Sequence, residues 1–274
     1  MDNNSFFELH NGVIIPSIGF GTWQIPDGEM CYNAVSNALR SGYRHIDTAK
    51  AYNNEKSVGR AVKDSGLRRN EVFITSKLPA EIKSYDGAWE NFNQTMENLG
   101  TEYLDLYLVH APWPWAEIGK DCTKENISVW KAMEEIYKSG RCRAIGVSNF
   151  NVKDLNAIMD NGQIKPMANQ IKYYIGNIQE EIVDFCLKND ILVEGYSPLA
   201  TGKILGNYHI KEIADKYRTS VSKICIRYVL QKGVLPLPKS VTPERIQQNF
   251  DISFTISGED MKDLDSLKET IAPR

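Results

Sequence analysis

Three apolar segments of the sequence each end in a polar residue: Gly42-Tyr-Arg-His-Ile-Asp47, Val72-Phe-Ile-Thr-Ser-Lys77 and Leu104-Asp-Leu-Tyr-Leu-Val-His110. Short apolar runs of this kind are typical of strands that are buried on both faces, as in parallel sheets. If the three strands are parallel neighbours in a barrel, their carboxyl ends lie side by side at its mouth. The segments therefore predict a parallel sheet and a polar site shared by Asp47, Lys77 and His110.

Strand-like and helical patterns alternate along the whole chain. The apolar runs predict strands at 17–21, 43–47, 72–77, 104–110, 144–148, 167–170, 191–196 and 234–238. Apolar spacing near 3.6 and local capping residues predict helices at 28–41, 55–66, 86–99, 123–140, 151–161, 178–189, 207–217, 220–232 and 243–249. Eight βα units predict an α/β protein with a closed (β/α)8 TIM barrel. We expect one domain over residues 1–274, because no repeat or linker interrupts the pattern.

Two glycine-containing segments bear on the start of the barrel. Phe6-Phe-Glu-Leu9, Asn11-Gly12 and Val13-Ile-Ile15 predict a β-hairpin with positive φ at Asn11 and Gly12. We expect this hairpin to cap the bottom of the barrel. Gly19-Phe-Gly-Thr22 lacks the third glycine and the following helix of a dinucleotide-binding fingerprint, so an open doubly wound sheet is not favoured.

Composition excludes several classes of function. A net charge of −3, with charged residues at 24%, gives no basic footprint for nucleic acid or an anionic membrane. No apolar run approaches the roughly 18 residues of a membrane span, and Met1-Asp-Asn-Asn4 lacks the features of a signal peptide. The five scattered cysteines suggest neither a disulfide framework nor a zinc site. We expect a cytoplasmic monomer that acts on a small molecule.

Tyr52 follows Asp47 by five residues, on the loop that leaves the predicted barrel mouth. A tyrosine with its ordinary pKa of about 10 is a poor acid at neutral pH unless its phenolate is stabilised. Lys77 could stabilise the phenolate, and Asp47 could hold the ammonium in place and keep it charged. His110 could orient a carbonyl or relay the proton. Each residue taken alone could be purely structural, but together they predict an active site for carbonyl reduction.

The chain resembles the aldo-keto reductases, above all the bacterial members related to 2,5-diketo-D-gluconate reductase. The segments that carry this resemblance are Gly19-Phe-Gly-Thr-Trp23, Arg44-His-Ile-Asp-Thr-Ala-Lys-Ala-Tyr-Asn-Asn-Glu55, Ile74-Thr-Ser-Lys77, Gly146-Val-Ser-Asn-Phe150 and Pro238-Lys-Ser240. The resemblance implies NADPH-dependent reduction of aldehydes or ketones, keto-sugars among them, without a metal. It implies that Tyr52 is the general acid, that Lys77 and Asp47 tune it, and that His110 positions the carbonyl.

A hydride donor lying across the barrel mouth needs polar and stacking groups at the ends of the later strands. Ser148, Asn149 and Gln170 can hydrogen-bond a carboxamide, and Tyr196 can stack on a ring. Backbone N–H groups of the next loop could approach a pyrophosphate, and we assign this role to Ser197, Leu199 and Gly202. We also expect cofactor contacts from Gly21, Thr22 and Asp47.

The segment after the last strand is suited to a phosphate. Lys239, Ser240 and Arg245 surround the start of the predicted last helix, where backbone amides and the helix dipole favour an anion. We assign them to the 2′-phosphate of NADPH. The resemblance places Arg245 and Asn249 at the adenine, together with Gln248, which stands where a glutamate is often found.

Tryptophans near the predicted mouth could wall an apolar substrate pocket. We assign substrate contacts to Trp23 and Trp113 as well as to Tyr52 and His110, with Trp115 as a further candidate. The sequence departs from the family at His110-Ala-Pro-Trp113, in place of His-Trp-Pro, and at Gln170-Ile-Lys-Tyr-Tyr174, which lacks the usual His-Pro.

Two other functions remain open. A metal-dependent hydrolase on the same barrel could use His45, Asp47 and His110, but four histidines with no His-x-His make a thin ligand set. A nucleotide-binding sensor without catalysis could use the same fold, although the four catalytic candidates argue against it. Inhibition by chelators would favour the hydrolase, and tight NADPH binding without turnover would favour the sensor.

Overall fold

The computed structural model describes residues 5–271 and contains an eight-stranded parallel barrel. A two-stranded antiparallel hairpin, β1 (Phe6–Glu8) and β2 (Ile14–Pro16), precedes it. The barrel strands are β3 (Phe20–Gly21), β4 (His45–Asp47), β5 (Phe73–Leu78), β6 (Leu106–Val109), β7 (Ile145–Ser148), β8 (Ala168–Lys172), β9 (Leu192–Tyr196) and β10 (Leu235–Leu237). Each strand from β3 to β10 pairs with the next along the chain. The predicted (β/α)8 barrel is therefore confirmed.

Backbone hydrogen bonds from the first barrel strand to the last close the ring. The N–H groups of Gly19 and Gly21 donate to the carbonyls of Pro236 and Pro238, at 3.1 and 3.0 Å. Gly19 lies against the His45 ring and Leu237 so closely that a Cβ there would come within 2.5 Å of both side chains. A glycine is thus required at this seam of the barrel.

Helices surround the barrel and bury their apolar stripes against it. They are α1 (Glu29–Arg40), α2 (Glu55–Asp64), α3 (Tyr85–Leu99), α4 (Thr123–Lys138), α5 (Val152–Asn161), α6 (Glu180–Lys188), α7 (Tyr208–Lys216), α8 (Val221–Gln231), α9 (Pro243–Phe250) and α10 (Gly258–Ser266). Side-chain caps start several of them; for example, Ser84 accepts from the N–H of Gly87 at the start of α3. The first nine helices match the predicted ones within a few residues. α10 was not predicted.

The N-terminal hairpin lies at the end of the barrel where the strands begin. Asn11 donates to the carbonyl of Arg143, just before β7, at 3.0 Å, and Leu9 and Ile15 are buried in the core. The turn differs from the predicted one, because only Gly12 has positive φ (81°) and Asn11 does not. Gly12 instead donates to the carbonyl of Leu9, so the turn is one residue longer than a two-residue hairpin loop.

Within residues 5–271, no helix is both long enough and apolar enough to cross a membrane. The five cysteines are buried and unpaired.

Candidate active site

A buried ion pair joins two neighbouring strands at the carboxyl end of the barrel. Asp47 ends β4, and Lys77 lies near the end of β5. The Lys77 ammonium contacts both carboxylate oxygens of Asp47, at 2.7 and 2.8 Å, and also donates to the carbonyl of Thr48 at 2.9 Å. All three ammonium hydrogens thus have acceptors, although the lysine is fully buried. This geometry fixes one positive charge at the barrel mouth.

Tyr52 and His110 lie close to this ion pair. Tyr52 ends a short 3₁₀ segment that follows β4, and its ring centroid is 5.2 Å from the Lys77 Nζ. Its hydroxyl is 3.5 Å from the Nε2 of His110, which directly follows β6. The structure therefore brings together all four predicted catalytic residues.

Burial and charge act in opposite directions on these groups. Burial raises the pKa of Tyr52, the Lys77 charge acts to lower it, and Asp47 acts to raise it. Burial acts to lower the pKa of Lys77, but attraction from Asp47 and other nearby groups outweighs it, so the pKa is raised. Burial and the Lys77 charge lower the pKa of His110 to about 3. At neutral pH the site therefore combines a protonated phenol, an ammonium and a neutral imidazole.

The ends of β7, β8 and β9 carry a connected set of amide and hydroxyl groups. Asn149, at φ 62°, donates to the carbonyl of His110 at 2.9 Å and to the hydroxyl of Ser148 at 3.0 Å. The hydroxyl of Tyr196 donates to the Asn149 side-chain oxygen at 2.8 Å, and Ser148 donates to the carbonyl of Gln170 at 2.9 Å. These four predicted cofactor residues are thus held in one network beside His110.

Gln170 links this network directly to the ion pair, and it also contacts Glu194, a residue that sequence reasoning missed. Its side-chain amide donates to Asp47 at 2.8 Å and to Glu194 at 3.0 Å. Glu194 lies in the middle of β9, fully buried inside the barrel. The signal that could have found it is its position two residues before Tyr196, which puts both side chains on the same face of the strand.

The predicted phosphate-binding residues lie on two loops at the same end. After β9, Ser197 (φ 53°) and Gly202 (φ 89°) have left-handed backbone conformations, and the amides of Ala200 and Gly202 are bonded to the carbonyls of Ser197 and Leu199. These two amides are therefore committed to turns within the loop.

After β10, Lys239 and Arg245 are exposed and, in the described part of the chain, form no ion pair. Ser240 accepts from the N–H of Thr242 at 3.1 Å, just before α9. Asn249 is buried and Gln248 exposed on the same helix.

Gly21 and Thr22 lie where β3 meets β4 and β10. The N–H and hydroxyl of Thr22 both donate to the backbone carbonyl of Asp47, at 2.9 and 3.1 Å. A Cβ at Gly21 would lie 3.5 Å from the carbonyl of Leu237 and 3.9 Å from Lys239. Thr22 therefore holds the strand end that carries Asp47, and Gly21 adjoins the segment that carries Lys239.

Of the two tryptophans that follow His110, the one farther along the chain is the one that contacts it. Trp115 packs edge-on against His110, with ring centroids 5.5 Å apart, and Trp113 packs on Trp115 at 5.1 Å. Trp113 thus reaches His110 through Trp115, which is the better placed of the two. Trp23 is 45% exposed and remains a candidate for the pocket wall.

A group of three or more His, Cys, Asp or Glu side chains arranged to hold a metal does not occur among residues 5–271. His45 and Asp47, the core of the hydrolase alternative, are instead bonded to Thr75 and Lys77.

Comparison with known proteins places this geometry in a family. The family model described as "Aldo/keto reductase family" matches residues 17–269. The chain belongs to the aldo/keto reductase family. This confirms the resemblance carried by the sequence motifs.

Relatives of this family match over nearly their full length. Glyoxal reductase of Bacillus subtilis (strain 168) is 42% identical over 263 residues, which cover 96% of this chain and 92% of the relative. An aldo-keto reductase from a Medee basin deep-sea metagenome library is 40% identical, with a TM-score of 0.91 over 98% of this chain and 97% of the other. A Bombyx mori aldo-keto reductase, solved in complex with NADP, is 30% identical, with a TM-score of 0.88 over 99% of this chain and 95% of the other.

Proposed function

We propose that this member of the aldo/keto reductase family reduces aldehydes or ketones to alcohols with NADPH, and that Tyr52 donates the proton. Family membership makes the chain an NAD(P)H-dependent oxidoreductase. The observation that supports proton donation by Tyr52 is the position of the Lys77 ammonium, which is held by both oxygens of Asp47 and lies 5.2 Å from the centroid of the Tyr52 ring. A fixed buried cation beside a phenol supports proton donation, because it stabilises the phenolate that remains.

The groups at the barrel mouth fit the chemistry of NADPH. Gln170 uses its amide hydrogens on two carboxyl groups, and in the described part of the chain its side-chain oxygen has no bonded donor, so it can accept from a carboxamide. The half-buried ring of Tyr196 can stack on a nicotinamide. Lys239 and Arg245 offer two exposed cations to a 2′-phosphate. When bound, NADPH supplies the hydride.

The residues of the chain would manage the proton and the carbonyl. The neutral His110 imidazole, 3.5 Å from the Tyr52 hydroxyl, can help orient the carbonyl oxygen toward the phenol. Tyr52 can then protonate the developing alkoxide while Lys77 stabilises the phenolate. Asp47 keeps Lys77 charged and in place. Solvent reprotonates the half-buried phenol after the alcohol leaves.

The pocket suggests which carbonyl compounds to test first. Trp115 packs on His110, so apolar surface lies near the proposed reaction centre. The exposed Trp23 directly follows Thr22, which bonds the backbone of Asp47. The similarity to a glyoxal reductase adds glyoxal to aldehydes, ketones and keto-sugars as candidate substrates. We also propose that the chain forms one domain and works as a cytoplasmic monomer on small-molecule carbonyls, without binding nucleic acid or a membrane.

The test is the Tyr52→Phe variant, which removes the transferable proton and keeps the ring. Carbonyl reduction should fall by more than about 100-fold, since a positioned general acid contributes roughly 10² to 10⁴. NADPH binding, followed by fluorescence titration, should be nearly unchanged. Tyr103→Phe is the matched control, because Tyr103 lies before β6 and its ring stacks on Arg69. Reduction of a good aldehyde at the parent rate by Tyr52→Phe would refute the assignment, and NADPH binding without turnover in the parent would favour a sensor.

A further inference from the structure

A glutamate lies inside the barrel directly beneath the proposed active site. Glu194 has no exposed area and lies on β9, two residues before Tyr196. The interior of such a barrel is normally filled by branched apolar side chains, and an isolated ionised carboxylate there is energetically costly. A glutamate at this position therefore needs interactions that offset this cost, and its presence points to a function.

Glu194 shares a hydrogen-bond donor with the catalytic aspartate. The side-chain amide nitrogen of Gln170 donates to Glu194 at 3.0 Å and to Asp47 at 2.8 Å. Because both amide hydrogens are taken, the rotamer of Gln170 is fixed and its oxygen is the remaining group that can bind a ligand. Glu194 therefore orients the residue that we assign to the nicotinamide carboxamide.

The second carboxyl oxygen of Glu194 is buried without a hydrogen-bond partner among the described residues. The Nε2 of His45 lies 4.0 Å from this oxygen, but that atom is already bonded to Thr75 at 2.9 Å. An unsatisfied ionised oxygen is more costly than a protonated one, so this geometry favours the neutral acid.

Three titratable groups face Glu194 from the strands around it. Asp47 and His45 lie on β4, and Lys77 lies on β5. Burial and the charge of Asp47 raise the pKa of Glu194 to about 7, while the hydrogen bond from Gln170 and the charge of Lys77 act to lower it. Burial and the charge of Lys77 lower the pKa of His45 to about 3, so His45 stays neutral as Glu194 titrates.

We propose that Glu194 is a positioning residue of the reductase, which holds Gln170 for the cofactor amide and gains or loses one negative charge beneath the Asp47–Lys77 pair. This role rests on the proposed function. With Glu194 protonated, the charges of Asp47 and Lys77 balance. With Glu194 ionised and its proton released to solvent, the interior carries one net negative charge, which opposes formation of both the alkoxide and the Tyr52 phenolate. Reduction is therefore faster with Glu194 protonated.

The Glu194→Gln variant separates charge from shape, because glutamine keeps the volume and an oxygen that can accept from Gln170. We expect the turnover rate for reduction by the parent to fall about threefold to tenfold as pH rises through about 7, the size expected for one charge several ångströms away. In Glu194→Gln this fall in rate with pH should disappear, and the affinity for NADPH should stay within about twofold of the parent. Glu134→Gln is the matched control, since Glu134 is a buried carboxylate on α4 that accepts from the N–H groups of Gln163 and Ile164. The Glu134→Gln variant should keep the fall in turnover rate as pH rises through about 7.

A second variant tests the orientation of Gln170. Glu194→Leu removes the acceptor as well as the charge, so NADPH should bind about tenfold more weakly, as expected for loss of one hydrogen-bonded contact. Equal NADPH affinity in Glu194→Leu and Glu194→Gln would overturn the orienting role.

An infrared titration measures the proton on Glu194 without turnover. The cofactor-free parent, labelled with [¹³C]glutamate, should lose the carbonyl band of a protonated glutamate between pH 6 and 8, and Glu194→Gln should show no such change. A parent without this titration, or a Glu194→Gln variant that keeps the fall in rate, would overturn the charge role. Glu55 is a second buried glutamate whose pKa burial raises, so if Glu194→Gln fails to fold, the absence of the titrating band in Glu194→Leu assigns the band to Glu194. A parent that reduces no carbonyl contradicts the proposed function, while the infrared titration still tests the charge on Glu194 separately.

Discussion

The Lys77→Met variant gives the most direct measure of what the buried ion pair does. Lys77 Nζ is 5.2 Å from the centroid of the Tyr52 ring, and the lysine is fully buried. At an effective dielectric of about 20, a unit charge at this distance stabilises a phenolate by about 3 kcal/mol, which corresponds to about a hundredfold in rate. We therefore expect reduction to slow by roughly that factor in Lys77→Met. The pKa of Tyr52 should rise further, because burial then acts without the opposing cation.

The assay is the pH dependence of kcat in both directions, with a good aldehyde and with its alcohol. In the proposed mechanism the Tyr52 phenolate is the base for alcohol oxidation, so the limb governed by Tyr52 should move to higher pH in Lys77→Met. Asp47→Asn should have a weaker effect, because loss of Asp47 removes the partner of Lys77 but also removes a negative charge that raises the pKa of Tyr52.

Stability has to be checked in the same variants. Lys77→Met leaves the buried Asp47 carboxylate without its cation, which typically costs about 3–5 kcal/mol. Thermal melting and NADPH titration show whether the variant is folded, and the double variant Lys77→Met/Asp47→Asn removes both charges. Lys165→Met is the control, since Lys165 bonds the carbonyl of Asn189 and none of the four proposed catalytic residues. Unchanged pH profiles in folded Lys77→Met and Asp47→Asn would mean that the ion pair only supports the fold.

Two further predictions concern the cofactor and metals. Arg245→Ala should weaken NADPH binding about 10- to 100-fold and leave NADH binding nearly unchanged, because we assign its guanidinium to the 2′-phosphate that NADH lacks. Fluorescence titration with both cofactors measures this, and equal weakening would assign Arg245 to the adenine or the fold. Carbonyl reduction should survive exhaustive EDTA treatment, because Tyr52 donates the proton in the proposed mechanism; activity lost with EDTA and restored by zinc would overturn it.

Much of the site could be predicted because its residues occupy repeated positions in the sequence pattern. Asp47, Lys77 and His110 each follow an apolar run, and parallel strands bring such ends to one edge of the barrel. Lys77 was also expected to tune Tyr52, but the sequence does not report burial. In the structure, burial outweighs the cation and the pKa of Tyr52 is raised.

The parts that were missed depend on packing between distant segments. Glu194 lies within a strand and not at its end, and its significance comes from Gln170 on the neighbouring strand. The spacing of Trp113 and Trp115 does not encode which ring turns toward His110. α10 (Gly258–Ser266) has only Asp260 and Leu264 fully buried, which is too few apolar positions to give a helical stripe.

The seam between β3 and β10 has a consequence for synthesis of the protein. Gly21 bonds the backbone of Pro238, so a ribosome must make every residue up to Pro238 before the first barrel strand finds its second partner. Until then β3 and β9 have open edges with unpaired backbone groups, which are prone to pairing with other chains. Contacts between such distant residues also slow folding. The nascent chain therefore passes through an aggregation-prone interval, and a chaperone that shields these two edges should raise the yield of active protein more than one that acts after release.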